Sequence, residues 1–287
     1  MANYSKPQNP PSDPTSDNIW FKWIAIAVVL LFLTIMLFLP LAIVFVEALG
    51  EGFDAYWQAI SEASTLNAIK LTLIVALIAV TCNSLIGILG AWAITKFRFR
   101  GKAFVITLID LPFSISPVIA GLALILVFSM DSVLRPVLEY FNIEIIYALP
   151  GMILATMFVT FPFVARELIP LMQDQGTSDE EAALSLGASG FKTFWLVTLP
   201  NIKWALLYGI LLCNARAMGE FGAVYLVSSR IEGESMTLPL QIELMYYSDI
   251  TAACAIATLL TSLALVTLVL KTLIEKIYAR KGARTGH

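Results

Sequence analysis

The feature that most constrains this chain is a series of long apolar runs, each long enough to cross a lipid bilayer. About 20 mostly apolar helical residues span a hydrocarbon core roughly 30 Å thick. Six runs approach or exceed that length: Ile24–Val46, Leu71–Thr95, Ala103–Ser129, Ala148–Ala165 with an extension to about Met172, Trp204–Ser228 and Ile250–Leu270. Backbone groups in lipid must be satisfied within the segment, so each run predicts a helix. We therefore expect an all-α integral membrane protein with about six transmembrane helices, called spans one to six below.

Composition supports the membrane class and argues against others. Hydrophobic residues occupy 59% of the 287 positions and charged residues 14%, whereas soluble domains carry about 25% charged residues. The three cysteines, Cys82, Cys213 and Cys254, lie inside apolar runs. This placement is typical of small buried residues and not of a disulfide framework. A net charge of −3 without a basic stripe argues against a nucleic-acid partner.

The distribution of Lys and Arg predicts the orientation in the membrane. Positive charges cluster between spans two and three, from Lys96 to Lys102, and again after span six. The segment after span one is acidic up to Lys70. Because cytoplasmic loops carry the excess of Lys and Arg, we expect both termini in the cytoplasm. Residues 1–18, rich in Pro, Ser, Asn and Asp, are expected to form a disordered cytoplasmic tail, and residues 19–287 a single transmembrane domain.

The most informative segment is the loop between spans four and five, at about residues 175–200. Ser178 and Glu181 have capping-box spacing, which predicts that a short helix starts there. Ala182 and Ala183 continue this helix, and Gly187 is well placed to end it. The predicted topology puts the loop on the cytoplasmic side.

A second short helix is expected in the same loop. It begins after Ser189 and stops before Pro200, and its aromatic members are Phe191, Phe194 and Trp195. Apolar residues in an otherwise wet loop fit two interpretations. One is a docking element for a partner protein, and the other is an amphipathic helix that rests on the membrane surface. The residue pattern alone favours neither.

The loop resembles a known motif. Glu181-Ala182-Ala183, then Gly187 and later Leu199-Pro200, match the EAA loop of inner-membrane subunits of bacterial ABC importers. Segments 200–209 and 214–223 resemble the sulfate/molybdate branch of that family. Segments 161–168 and 237–244 are similar to membrane subunits of sulfate/thiosulfate importers. The resemblance runs from span one to span six and fails only in the N-terminal tail.

The resemblance implies a type I ABC importer transmembrane domain, acting as a permease subunit in the bacterial inner membrane. It implies a second, homologous permease subunit (CysT-like), two ATPase subunits (CysA-like), and a periplasmic binding protein that delivers sulfate or thiosulfate. Membrane lipid surrounds the spans. ATP and Mg are used by the partner ATPase, since this chain has no Gly-x-x-x-x-Gly-Lys-Ser/Thr phosphate loop. The chain is therefore expected to be no enzyme itself and to bind no cofactor directly.

In such importers the EAA helix sits in a groove of the ATPase. When the two ATPase subunits close on ATP, they push this helix and so move the spans. The resemblance thus implies that Glu181 is a polar anchor in that groove and that Gly187 permits the sharp turn. Phe191, Phe194 and Trp195 would supply contact area.

Span five carries two ionisable residues, Arg216 and Glu220, at helical i, i+4 spacing. Ionisable residues inside a membrane usually face the bundle interior or a cavity. One interpretation makes Arg216 an attractant for a divalent oxyanion. The other has the two side chains neutralise each other, while Gly219 and Gly222 permit close packing.

Span three contains two prolines, Pro112 and Pro117, near Ser114 and Ser116. A break here would expose a half-helix N-terminus, whose N–H groups suit an anion. An ordinary structural kink is the alternative. Asp110 is expected to pair with a neighbouring cation or with backbone donors.

Alternative functions follow from the same residues. A molybdate or tungstate importer is the nearest, because these oxyanions share charge and tetrahedral shape with sulfate. From a different class, an ATP-independent anion channel or carrier remains, although the EAA loop argues against it. A membrane enzyme fits poorly, since the single histidine is His287 at the end of the chain and no nucleophile–base set is visible.

Overall fold

The computed structural model describes residues 19–129, 132 and 134–285, and each regular element within these residues is helical. The predicted tail 1–18 and His287 lie outside them. In chain order the helices are α1 (Ile19–Leu33), α2 (Leu39–Ala48), α3 (Phe53–Ser61), α4 (Ala63–Lys96), α5 (Lys102–Ser114), α6 (Pro117–Phe128), α7 (Arg135–Tyr140), α8 (Leu149–Thr160), α9 (Pro162–Gln175), α10 (Ser178–Ser185), α11 (Gly190–Thr193), α12 (Leu199–Met218), α13 (Gly222–Val227), α14 (Leu238–Ser248) and α15 (Ile250–Thr285). Two π-helical turns, Thr34–Phe38 and Phe194–Thr198, join α1 to α2 and α11 to α12.

The helices confirm about six spans. Five stretches are long and apolar enough to cross a membrane: Trp20–Ala48, Ala63–Lys96, Leu149–Gln175, Gly190–Met218 and Ile250–Leu270. The bent pair α5 and α6 makes a sixth if it is one span. Span two begins at Ala63 and not at the predicted Leu71. The short helices α3 and α7 were not predicted from the sequence, because neither shows a long apolar period.

Span three is broken rather than merely kinked. α5 ends at Ser114, α6 begins at Pro117, and their axes differ by 108°. The residue before a proline is sterically driven out of the α region, and Ser116 is accordingly extended, with φ −59° and ψ 137°. The sequence allowed either a helix break or an ordinary kink in span three, and the structure shows the break.

Span five ends earlier than the sequence analysis expected. Its helix stops at Met218, and a separate helix, α13, starts at Gly222, so the prediction of one helix up to Ser228 is wrong. Glycine is a poor helix former, and Gly219 is the cap residue that directly follows the last helical residue. The Glu220 carboxylate then accepts the backbone N–H of Ala223 at 2.9 Å, which satisfies a donor in the first turn of the new helix.

The second loop helix does not stop before Pro200, so that prediction is also wrong. The chain is helical without interruption from Gly190 to Met218. A proline inside an α-helix lacks one N–H and clashes with the carbonyl four residues earlier. The π turn widens the helix at this point, with Leu199 N–H bonded to the Phe194 carbonyl, five residues back. A π turn also precedes Pro40, where Leu39 N–H bonds to Thr34.

Spans two, four and five pack closely because glycines face a buried valine. Val164 on α9 is fully buried. A Cβ built on Gly87 of α4 would lie 2.9 Å from Val164 Cβ, and one on Gly209 of α12 would lie 3.2 Å from Val164 Cα. Small residues of this kind let helix backbones approach in membranes. The result is a three-helix core to which the remaining helices attach.

Candidate functional site

The helix α10 in the loop between spans four and five is defined by its two ends. At the N-terminus Thr177 is the cap residue, one position before the predicted Ser178, and its hydroxyl donates to Glu181 Oε1 at 2.7 Å. At the C-terminus Gly187 adopts φ +86°. Its N–H bonds to the Leu184 carbonyl, and the N–H of the next residue bonds to Ala183, which is a Schellman motif. The prediction that Gly187 ends this helix is confirmed.

An apolar surface flanks the turn at Gly187. We call it the apolar loop surface, and it consists of Leu184, Leu186, Phe191, Trp195 and Leu196. Leu186 is 90% exposed and Phe191 75% exposed. Large apolar side chains are rarely exposed to water as a contiguous patch, so such patches indicate contact sites for protein or membrane. The sequence analysis named Phe191 and Trp195 but not the leucines.

The predicted loop residues have different surroundings. Phe194 is half-buried, and its ring lies 5.6 Å from that of Trp92 on α4, so it packs against the bundle more than it faces outwards. Glu181, Ala182 and Pro200 are exposed, whereas Ala183 is half-buried. The loop therefore has an inner side that contacts span two and an outer side that is open.

A polar network fixes the inner side, and the sequence analysis missed it. Lys96 Nζ at the end of α4 lies 2.7 Å from Glu180 Oε1, and the Thr198 hydroxyl donates to the same oxygen at 3.0 Å. Asn201 donates to Asp179 at 3.2 Å. Eighty-four positions separate Lys96 from Glu180, a pairing for which local spacing holds no signal (180 − 96 = 84).

The break in span three lies beside the end of span five and the start of α13. A Cβ on Gly222, the first residue of α13, would lie 3.2 Å from Pro117 Cβ, the first residue of α6. Four residues further into α6, a Cβ on Gly121 would lie 2.7 Å from the Ala223 carbonyl oxygen. The starts of α6 and α13 thus lie together, and the Glu220 carboxylate already occupies a donor at the start of α13.

Arg216 and Glu220 lie beside this junction and form an ion pair. Arg216 Nη1 is 2.8 Å from Glu220 Oε2. The Glu220 side chain is 1% exposed, whereas that of Arg216 is 36% exposed. The pairing interpretation drawn from the sequence therefore describes the geometry, although Glu220 stands beyond the end of the helix that carries Arg216. A carboxylate this buried needs such a partner.

The predicted polar residues of span three sit on an open side of the bundle. Ser114 and Ser116 are both exposed. Asp110 Oδ1 lies 3.9 Å from Arg166 Nε, with the side chains 43% and 62% exposed, which agrees with the expected pairing to a cation. The Arg166 guanidinium also lies 5.0 Å from the centre of the Phe113 ring. These charges stand on apolar spans where lipid alone would be a poor neighbour.

Helices this apolar require a membrane. The match to a family model adds the class, which is the membrane component of a transport system. The family model of binding-protein-dependent transport system inner membrane components matches residues 83–280. The chain belongs to this family.

Individual relatives agree with the family. The sulfate transport system permease protein CysW of Escherichia coli strain K12 is 47% identical over 258 residues, covering 89% of this chain and 88% of that protein. The sulfate transport system permease protein CysT of Synechocystis is 33% identical over 260 residues, covering 90% of each. A crystal structure of a bacterial alginate ABC transporter has a chain that superposes with a TM-score of 0.74 at 18% identity, covering 91% of this chain and 94% of that one. The last similarity shows the fold alone.

Proposed function

We propose that this chain is the permease subunit of an ATP-driven importer that carries sulfate or thiosulfate across the inner membrane. The observation that carries this proposal is the 47% identity to a sulfate permease along 89% of the chain. The lower identity to a CysT protein, 33%, favours a CysW-type subunit that pairs with a homologous CysT-type subunit. Molybdate and tungstate are left as competitors to be tested.

The assembly would contain this chain, the second permease subunit, two ATPase subunits and a periplasmic binding protein. The exposed loop helix α10 supports the ATPase contact, because an eight-residue helix with no buried side chain is poorly explained by packing within this chain. Glu181, Ala182 and Gly187 would shape the docking element, with Phe191 and Trp195 as its apolar contacts. The side chain of Phe194 supports the same element from the inside, by its contact with Trp92. ATP and Mg would be bound by the partner.

The orientation proposed is cytoplasmic for both termini. The Lys96–Glu180 contact supports it, because the end of span two and the start of the loop after span four must then lie on one side of the membrane. The Lys- and Arg-rich segment after span two supports assigning that side to the cytoplasm. An odd number of crossings between these two points would separate the paired residues.

The translocation path is proposed to pass the place where the break in span three lies beside the end of span five. Ser114, Ser116, Arg216 and Glu220 would line it. The N-terminus of α6 and a partly exposed arginine favour an anion there, while the buried Glu220 carboxylate, which already pairs with Arg216 and with the start of α13, limits how tightly the anion is held. Weak binding along a path is required for release.

The test is uptake of labelled sulfate into vesicles that contain this chain and its partners. We expect uptake that requires both ATP and the binding protein and that a molybdate excess inhibits weakly. Uptake without ATP would contradict the importer and indicate a channel or carrier. Strong competition by molybdate would keep the importer and change its substrate.

A further inference from the structure

Lys96 and Glu180 form an ion pair that joins two distant parts of the chain. Lys96 lies in the last turn of α4, Glu180 in the first turn of α10, and their charged atoms are 2.7 Å apart. The side chains are only 8% and 14% exposed. The pair Arg135–Glu139, in contrast, is 51% and 57% exposed and spans one turn of a single helix. Solvent and salt screen the Lys96–Glu180 pair much less.

The same carboxylate also contacts span five. The hydroxyl of Thr198, a buried residue in the π turn before α12, donates to Glu180 Oε1 at 3.0 Å. Lys96 donates a further hydrogen bond to the Gly176 carbonyl in the turn that precedes α10. One carboxylate thus connects α10 to the ends of spans two and five, with the adjacent turn held as well.

Apolar packing does little to hold α10 in place. None of its eight residues is buried. A helix of this length is also unstable on its own, because nucleation is costly. The polar contacts of Glu180, together with the Asn201–Asp179 hydrogen bond, are therefore what fixes the position of α10 against the bundle.

We propose that Glu180 is a positioning residue that transmits a displacement of α10 to spans two and five through Lys96 and Thr198. This inference rests on the proposed function, in which a partner ATPase moves α10. Two neighbouring carboxylates, Glu180 and Glu181, then have different roles. Glu181 is exposed and hydrogen-bonded to Thr177 within the loop, whereas Glu180 faces the bundle. Displacement of the outer side is then passed to span two, and to span five in addition to their covalent connection, through the contacts of Glu180.

The test is the substitution Glu180→Gln in the reconstituted assembly of both permease subunits, the ATPase and the binding protein. Glutamine keeps the size of the side chain and an acceptor for Thr198, but it removes the ion pair. We expect the ATPase to co-purify in unchanged ratio and to hydrolyse ATP, while sulfate transported per ATP falls about tenfold, as is typical of coupling between sites. Lys96→Met gives the same fall, and Lys96→Arg retains most of the transport.

Asp174→Asn is the matched control, because it removes an exposed carboxylate six positions from Glu180 (180 − 174 = 6) and is expected to leave transport per ATP unchanged. Unchanged transport per ATP in Glu180→Gln would overturn the inference. So would loss of the ATPase from that variant, since Glu180 would then act in docking. If the assembly without any substitution shows no ATP-dependent sulfate uptake, the proposed function itself fails.

Discussion

Arg216 Nη1 and Glu220 Oε2 lie 2.8 Å apart across the end of a helix. The helix α12 carries Arg216 in its last turn and ends at Met218, while Glu220 caps the start of the next helix, α13, through Ala223. The pair therefore connects the end of span five to the helix that follows it. Its two charges differ in exposure, because Glu220 is buried and Arg216 is partly open. A disturbance at Arg216 thus acts directly on the end of span five.

Removing one charge of this pair should destabilise the protein more than removing both. Arg216→Gln leaves the buried Glu220 carboxylate without its counter-ion, which costs about 2 to 4 kcal/mol when the partial exposure of Arg216 is taken into account. In Arg216→Gln/Glu220→Gln the unpaired charge is gone, and about half of that loss should be recovered. The loss of stability in each variant is measured by unfolding the purified protein in detergent. Equal loss in the single and double variants would contradict a coupled pair.

Glu220→Gln alone should slow transport at saturating substrate. The amide oxygen can still accept the Ala223 N–H, so the start of α13 is retained, but Arg216 loses its neutralising partner. A free guanidinium on the proposed path should hold the divalent anion longer and lower the maximal uptake rate about five- to tenfold. The measurement is initial uptake of labelled sulfate over a range of concentrations of loaded binding protein. An increase in the maximal rate would contradict a role in release.

Gly121→Ala should disturb the contact between α6, which follows the break in span three, and α13. The new methyl group would lie 2.7 Å from the Ala223 carbonyl oxygen, a backbone atom that cannot move aside without shifting α13. We expect a loss of about 1 to 3 kcal/mol of stability and a matching fall in uptake. Gly90→Ala on α4 is the control, because a Cβ there meets no atom within 4 Å. It should be neutral or slightly stabilising.

Gly187→Ala should weaken ATP-coupled uptake without preventing membrane insertion. Gly187 has φ +86°, and a side chain in that conformation costs about 1 to 2 kcal/mol. The Schellman motif that ends α10 would distort and misalign the apolar loop surface. A bulky residue at Gly187 or at Glu181 should abolish coupled uptake. Gly190→Ala is the control, since its Cβ meets open space at an ordinary φ, and full uptake in the Gly187 variant would contradict the role of the turn.

Phe191→Ala should weaken binding of the ATPase about tenfold, because an exposed aromatic residue at an interface is a common site of concentrated binding energy. Phe191 is 75% exposed and contacts Trp195, with ring centres 6.1 Å apart. Phe141→Ala, at a 63% exposed phenylalanine after α7, is the matched control. Titration of detergent-solubilised permease with labelled ATPase gives the affinities. Equal affinities for both variants would favour the alternative in which the loop rests on the membrane surface.

Local sequence patterns were sufficient to predict the spans and much of the loop between spans four and five. Apolar runs predict spanning helices because lipid offers no partner for backbone groups. The spacing from Ser178 to Gly187 predicted α10 to within one residue at its N-terminus, since cap and C-terminal glycine act through neighbouring backbone groups. The loop motif and the segments around Arg216 also predicted the family that the comparisons then showed.

The tertiary structure decided the features that depend on residues far apart in the chain. Pro200 was expected to end a helix, but the π turn before it accommodates the proline within a continuous helix. Just beyond the end of span five at Met218, the buried Glu220 contacts both Arg216 and Ala223. Lys96 and Glu180 meet only because α4 and α10 are packed together. Periodicity and capping are short-range effects, whereas long-range ion pairs and helix breaks are set by which surfaces become buried together.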